Sequence, residues 1–292
     1  MKKTYKSSLI LIFLIIILTL YLVNSKLIIN NFLDYTKLYI ERLFPTSFII
    51  YIISNLLINY QILEELSKIT KSPNIFYIIV MSMLTGFPSG SKYITELYNK
   101  QLISDKAATY LLRFTHFPNP LFILGSLTKI ISINKAIKII ISIYLANFII
   151  AITTNTKEES TKLLNTNSLD FSASLKEGIK SSFNLQLLVY GTNIFFYLIA
   201  VIITNYLRIS TYSYVLINGI FDLTKGLFTT ILLPQKIRTI FILIFLNLGS
   251  LSIHIQTKSI LSDTKLKYKI FLQGRIISTI LSLLIFIIIN NF

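Results

Sequence analysis

The chain has 292 residues, of which 53% are hydrophobic and 14% charged, with a mean hydropathy of +0.69 and a formal net charge of +16. A soluble domain carries roughly 25% charged residues, so this chain cannot cover a water-facing surface with charge and reads as a polytopic membrane protein. The absence of cysteine excludes a disulfide framework, a thiol nucleophile and a Cys metal site, and two histidines with few carboxylates argue against an all-protein metal centre or a hydrolytic triad.

The basic balance does not point to nucleic acid. The lysines are scattered between apolar runs and form no basic stripe, a pattern that suits short loops setting topology and meeting anionic lipid. The excess of Ile, Asn and Lys also fits an AT-rich genome, so part of the charge is compositional bias.

In chain order, Lys2, Lys3 and Lys6 precede the apolar run Leu9 to Val23, which reads as a retained signal anchor with a cytoplasmic N-terminus. Residues 1–41 form this anchor and a linker. Phe44 to Tyr60 is a second span. Ile75 to Leu84 is too short to cross, because a crossing helix needs about 20 residues. It stops at "TGFPSGSKY", Thr85 to Tyr93, where a proline, two glycines and two serines lead to Lys92. Ser91 to Arg113 is mixed, and a second breaker, Thr115 to Phe122, precedes the short apolar piece Leu121 to Leu127. Ala136 to Ile152 is an ordinary span.

Thr153 to Ser182 is the one long polar stretch, read as an extramembrane loop, with the connecting segment placed at 153–184. It separates a first repeat, 42–152, from a second, 185–292. Leu185 to Tyr206 is a span. Tyr214 to Phe221 then stops at Asp222, Leu227 to Leu233 and Ile237 to Leu248 flank Pro234, and a last breaker covers Asn247 to Gln256 before the span Ile270 to Asn290. The spacing from Ser89 to Pro118 nearly equals that from Thr224 to Ser252. Paired interrupted segments in corresponding places are a sequence pointer to a transporter site. The expected fold is therefore all-α, with two pseudo-symmetric repeats of inverted topology and re-entrant, broken helices.

Non-helical backbone at membrane depth must face protein, water or a ligand, and a helix restarting after a break points free N–H groups at the gap. Pro88 and Gly90 break the run, Ser89 and Ser91 are placed to cap the new start, and Lys92 adds a full charge. Thr115, His116 and Asn119 stand in the second break, Asp222 and Thr224 with Lys225 in the third, and Ser252, His254 and Gln256 in the fourth. Each has a plainer reading. Lys92 could snorkel from an aqueous loop, His116 could sit exposed beside its prolines, and Asp222 could simply neutralise Lys225 at i,i+3. His254 and Gln256 are two apart, so only an unwound segment would bring both to one ligand.

Four ordered motifs at these breaks resemble the YlbJ-type sporulation integral membrane proteins, a branch of the nucleoside-recognition gate domain group. The family's Pro-Ser-Gly-Ala-Lys stands here as Pro88, Ser89, Gly90, Ser91, Lys92, followed by Glu96, Leu97, Tyr98 and by Ile103, Ser104. Its Phe-Ser-Asn-Asn-Pro-x-Pro-Leu-Phe stands as Phe114 to Phe122, with both asparagines replaced, by His116 and Phe117. Its Glu-x-Thr-x-Gly stands as Asp222 to Gly226, and its Gly-Gly-Leu-Ser-x-His-x-Gln as Gly249 to Gln256. The resemblance runs from about Arg42 to the C-terminus. It implies a role in endospore formation, as a carrier of dipicolinic acid across the outer forespore membrane, with no cofactor and no catalysis. On that expectation Ser89, Ser91 and Lys92 hold one carboxylate, Ser252, His254 and Gln256 bind from the other repeat, and Asp222 with Thr224 balances Lys92 or takes a coupling proton. A nucleoside-like permease and a non-transporting sporulation scaffold are the competing expectations.

Overall fold

In the computed structural model, which describes residues 2–60, 62–154 and 170–291, the regular elements are all helical. Helix α1 (Lys2–Val23) turns at Asn24 into α2 (Ser25–Leu38), which runs through a π-helical turn at Tyr39–Leu43 into α3 (Phe44–Asn59). Ser25–Asn59 is thus one helical path of 35 residues. A helix does begin at Phe44, as expected for the second span, but it continues a helical path from Ser25 through residues read as linker. Polar residues in this stretch read as linker, but they are satisfied by the neighbouring helix α10 (Phe171–Tyr206). Tyr197 donates to Asn31 Oδ1 (2.6 Å), Tyr39 donates to Gln186 O (2.9 Å), and the Thr36 and Tyr190 hydroxyls share a hydrogen bond.

A short helix α4 (Ile62–Ser67) leads to a hairpin of α5 (Pro73–Thr85) and α6 (Ser89–Asn99), which pack on each other. Thirteen residues give about 20 Å of helix, short of the ~30 Å apolar core. The reversal is made by Gly86 at φ 76°, where a side chain would be strained. Helices α7 (Asp105–Leu112) and α8 (Pro120–Ser126), the latter ending in a 3₁₀ turn at Leu127–Lys129, lie end to end across the break at residues 113–119. Both run antiparallel to α9 (Ile133–Thr154). Tyr110 bonds Ala151 O (3.1 Å), Asn147 bonds His116 O (3.1 Å) and Tyr144 bonds Pro118 O (3.2 Å).

Helix α10 begins at Phe171, so the polar stretch expected to loop through Ser182 is helical from that residue; 155–169 lie outside the described residues. Ser174, Gly178 and Ser182 recur every fourth residue on its buried face, Gly178 against Ile52 and Asn55 of α3, while Lys176, Glu177 and Lys180 point outward. Small residues at that spacing let two membrane helices approach closely. After α10, α11 (Thr211–Phe221) and α12 (Leu223–Thr229), with a 3₁₀ turn at Thr230–Leu232, form a second packed hairpin. Helices α13 (Gln235–Leu248) and α14 (Leu251–Leu261) are then joined end to end through Gly249 at φ 81°. The last helix, α15 (Tyr268–Asn291), packs along α9 and α13. Among the described residues, five helical paths are long and apolar enough to cross a membrane: Ser25–Asn59, Ile133–Thr154, Phe171–Tyr206, Gln235–Leu261 and Tyr268–Asn290.

Two arginines answer the carbonyls that the breaks leave unpaired. Arg238 donates to Thr230 O, Ile231 O and Leu233 O and also to Ile130 O (2.7 Å), tying together the two 3₁₀ turns that end α8 and α12. Arg275, wholly buried in α15, donates to Arg113 O (3.0 Å), His116 O (3.3 Å) and Asn147 Oδ1 (3.2 Å). Two glycines admit backbone to the same break. A Cβ on Gly90 would lie 2.1 Å from Thr115 O, and one on Gly274 would lie 1.9 Å from Arg113 O. Gly90→Ala should therefore push the first hairpin off the α7–α8 break and cost about 1–3 kcal/mol, the usual range for overpacking. A thermal melt of the solubilised variant that matches wild type would show that the hairpin tip is not seated on that backbone.

Candidate functional site

The four interruptions meet. A cavity of about 70 Å³ is lined by Thr85, Phe87 and Asn119 from the first two breaks and by Leu223, Thr224, Ile253 and Gln256 from the last two. Thr46, Ser47 and Tyr51 of α3 and Gln186, Val189 and Asn193 of α10 complete the wall. That volume holds a few waters. Its side chains are hydroxyls, amides, rings and the aliphatic Leu43, Val189, Leu223 and Ile253; no Asp, Glu, Lys, Arg or His is among them.

Of the sequence-predicted residues, Asn119, Thr224 and Gln256 line this cavity, and the others surround it at varying depth. Ser89 does not cap α6. Its hydroxyl bonds Gly86 O and the Thr85 hydroxyl, bracing the turn from below, and neither Ser89 nor Ser91 makes a side-chain cap. Gly90 is the contact point described above. Lys92 does not snorkel into water: its Nζ is buried, makes no hydrogen bond and stands 5.8 Å from the centre of the Tyr51 ring, whose other surroundings include the cavity. The nearby Glu96 is engaged by Lys100 at 3.2 Å.

Thr115 is buried and bonds back to Leu111 O (2.9 Å). His116 is buried too, not exposed beside its prolines. Its ring stacks on Phe87 at 4.4 Å and meets the edge of Phe271. Asn119 caps α8 by accepting from Leu121 and Phe122 N–H, and its amide donates to Thr46 O and Thr85 O. It therefore fastens the second break to α3 and to the first hairpin.

Asp222 is wholly buried, and neither expected ion pair forms. One carboxylate oxygen accepts the Lys225 N–H (2.8 Å) as the cap of α12, and the other accepts from Tyr35 (3.0 Å). Lys225 extends over the Tyr197 ring instead, 5.2 Å from its centre, and Tyr197 stacks on Tyr35. The tip of the second hairpin is thus docked on α2. Asparagine caps as well as aspartate, whereas alanine does not. Asp222→Asn should keep near-wild-type stability and Asp222→Ala should lose about 1–2 kcal/mol, read as thermal melts; equal melts for the two would deny the cap.

The last break is helical from Leu251, so His254 and Gln256 part, as two-residue spacing on a helix requires. Ser250 caps α14 and shares a hydrogen bond with Ser252 (2.7 Å). His254 turns to Tyr268 (2.6 Å) and away from the cavity, while Gln256 faces it and donates to Thr192 and Asn193 (2.8 Å each). Sequence reading missed Tyr35, Tyr51, Gln186, Asn193 and Arg275. Arg275 carried a signal, a cation inside an apolar span, which marks a special position by default. The cavity-lining polar residues of α3 and α10 carried none, because they sit in unbroken helices.

The chain is 25% identical to the sporulation integral membrane protein YlbJ of Bacillus subtilis (strain 168), across 81% of this chain and 71% of that protein. No protein-family model matches the chain, and no solved structure matches it significantly. The similarity and the apolar helices fit an integral membrane protein with a role in sporulation.

Proposed function

We propose that the chain is a membrane carrier of endospore formation that moves a small planar solute, dipicolinic acid, across the outer forespore membrane. The observation that carries the reading is that residues at or beside four separate helix interruptions line one cavity. A protein that only scaffolds others has no use for such a junction, because every interruption at membrane depth must have its backbone groups satisfied. Two further features support it. A packed hairpin followed by an interrupted helix occurs twice in the chain. Between the hairpins run the α7–α8 pair and the long apolar helices α9 and α10; in this reading α7–α8 crosses as one unit, and the two hairpins then enter from opposite sides. We read this as two inverted repeats, the arrangement that supports alternating access.

At about 70 Å³ the cavity is smaller than such a solute, so the hairpin tips must part to admit one. Lys92 stands behind Tyr51 of the lining and is the proposed partner of a substrate carboxylate. One observation favours a second reading: the lining holds amides, hydroxyls, rings and aliphatic side chains with no charge, which suits a neutral, nucleoside-like solute. Uptake of labelled dipicolinate and of labelled uridine by proteoliposomes decides between them. Dipicolinate uptake is expected, with spores lacking the gene poor in dipicolinate and heat-sensitive. Uridine uptake alone would promote the nucleoside reading, and uptake of neither, with normal spores, would leave the scaffold.

A further inference from the structure

Most polar groups on the cavity wall are already spent. Thr46, Ser47 and Thr85 give their hydroxyl hydrogens to helix carbonyls. Asn119 uses both ends of its amide, and Gln186 donates to Ser47 (2.6 Å) while accepting from Tyr39. Gln256 and Asn193 differ. The Thr192 hydroxyl donates to Leu188 O (2.7 Å), so toward Gln256 it can only accept, and that fixes the Gln256 nitrogen against it. The same nitrogen donates to Asn193 Oδ1, which fixes the second amide in turn. Gln256 Oε1 is then left buried with no donor, on a side chain that is wholly buried and lines the cavity. Asn193, also on the lining, has its oxygen engaged and its Nδ2 donor uncommitted.

We propose that Gln256 Oε1 and Asn193 Nδ2 act as one acceptor–donor pair that reads an adjacent donor–acceptor edge on the solute. An ionised carboxylate has only acceptors and leaves Gln256 Oε1 unpaired. A protonated carboxyl offers an O–H beside a C=O, and a lactam offers an N–H beside a C=O. The site therefore takes a dicarboxylate with one carboxyl protonated, or else a lactam ring, and not a fully ionised dianion. This rests on the carrier reading and adds a specificity residue, Asn193, from a helix that carries no break.

The test is equilibrium binding to the full-length protein in detergent, with dipicolinate, its dimethyl ester and uracil as probes at acid and at neutral pH. Free carboxyls titrate near pH ~4, so a requirement for –COOH makes dipicolinate bind about tenfold or more tightly at the acid pH. Uracil binding should not change with pH. Whichever of the two binds should lose about tenfold in Gln256→Leu and again in Asn193→Leu, two variants on different helices. The dimethyl ester, which lacks the donor, should bind weakly and be indifferent to Gln256→Leu. Dipicolinate alone, favoured by acid, identifies the carboxyl source; uracil alone identifies the lactam. Dipicolinate that binds equally at both pH values and in both variants leaves the carrier reading standing and overturns the pair. Acid-favoured binding that both variants retain overturns it as well. Binding of neither probe overturns both the pair and the carrier reading.

Discussion

Replacing Arg275 by leucine should leave little folded protein to solubilise. The guanidinium is wholly buried, has no acidic partner, and its terminal nitrogens donate to Arg113 O, His116 O and Asn147 Oδ1 while Nε is unpartnered. Replacing a whole buried ion pair by apolar side chains often costs nothing, because the desolvation penalty disappears with it. That escape fails here. The partners are backbone carbonyls of the α7–α8 break, and they stay buried when the arginine goes. Each unsatisfied carbonyl costs about 1–3 kcal/mol, so the two together cost about 2–6 kcal/mol, a large share of the stability of a typical domain. Arg275→Lys should fall between, since one ammonium can reach part of this set. Monodisperse yield on size exclusion and resistance to protease would report the loss. A leucine variant with wild-type yield and melting would mean that the break satisfies its own carbonyls.

The helix breaks were legible because glycine, proline and N-capping side chains are local signals. Gly86 and Gly249 at positive φ, Asn119 and Asp222 as caps, and the hairpin too short to cross all follow from residues near each other in sequence. What the chain hid is long-range. The polar faces of α2 and of the start of α10 look like linker and loop until their partners are known, since Asn31 and Tyr39 are satisfied only by Tyr197 and Gln186. The small-residue repeat Ser174, Gly178, Ser182 was present in the sequence, but the charges beside it outweighed it. Motif membership also misled on roles. Ser89, Gly90 and Asp222 stand at breaks as expected, yet their geometry braces and docks the hairpin tips, while Gln256 and the unheralded Asn193 face the cavity.

Lys92→Met should insert and fold like wild type and transport at a small fraction of its rate. The lysine is the sharpest test because its ammonium is buried, makes no hydrogen bond and stands 5.8 Å from the centre of the Tyr51 ring. A cation over a ring recovers about 0.5–2 kcal/mol, whereas a lysine at the bilayer centre costs roughly 2.5–3.5 kcal/mol on insertion scales. Folding alone thus gains nothing from this charge, and methionine, which fills the same volume without it, should melt at or above the wild-type temperature. A substrate anion behind Tyr51 would change the balance. A charge-assisted contact contributes about 1.5–3 kcal/mol, so its loss should lower dipicolinate affinity about 10- to 100-fold. Lys92→Arg, which keeps the charge on a longer fork, should keep part of the activity and thereby separate charge from packing. Uptake by proteoliposomes, with the amount of inserted protein measured in parallel, is the readout. Wild-type uptake by the methionine variant would show that Lys92 is a tolerated passenger of the first hairpin, and the substrate carboxylate would then have to be bound by neutral groups alone.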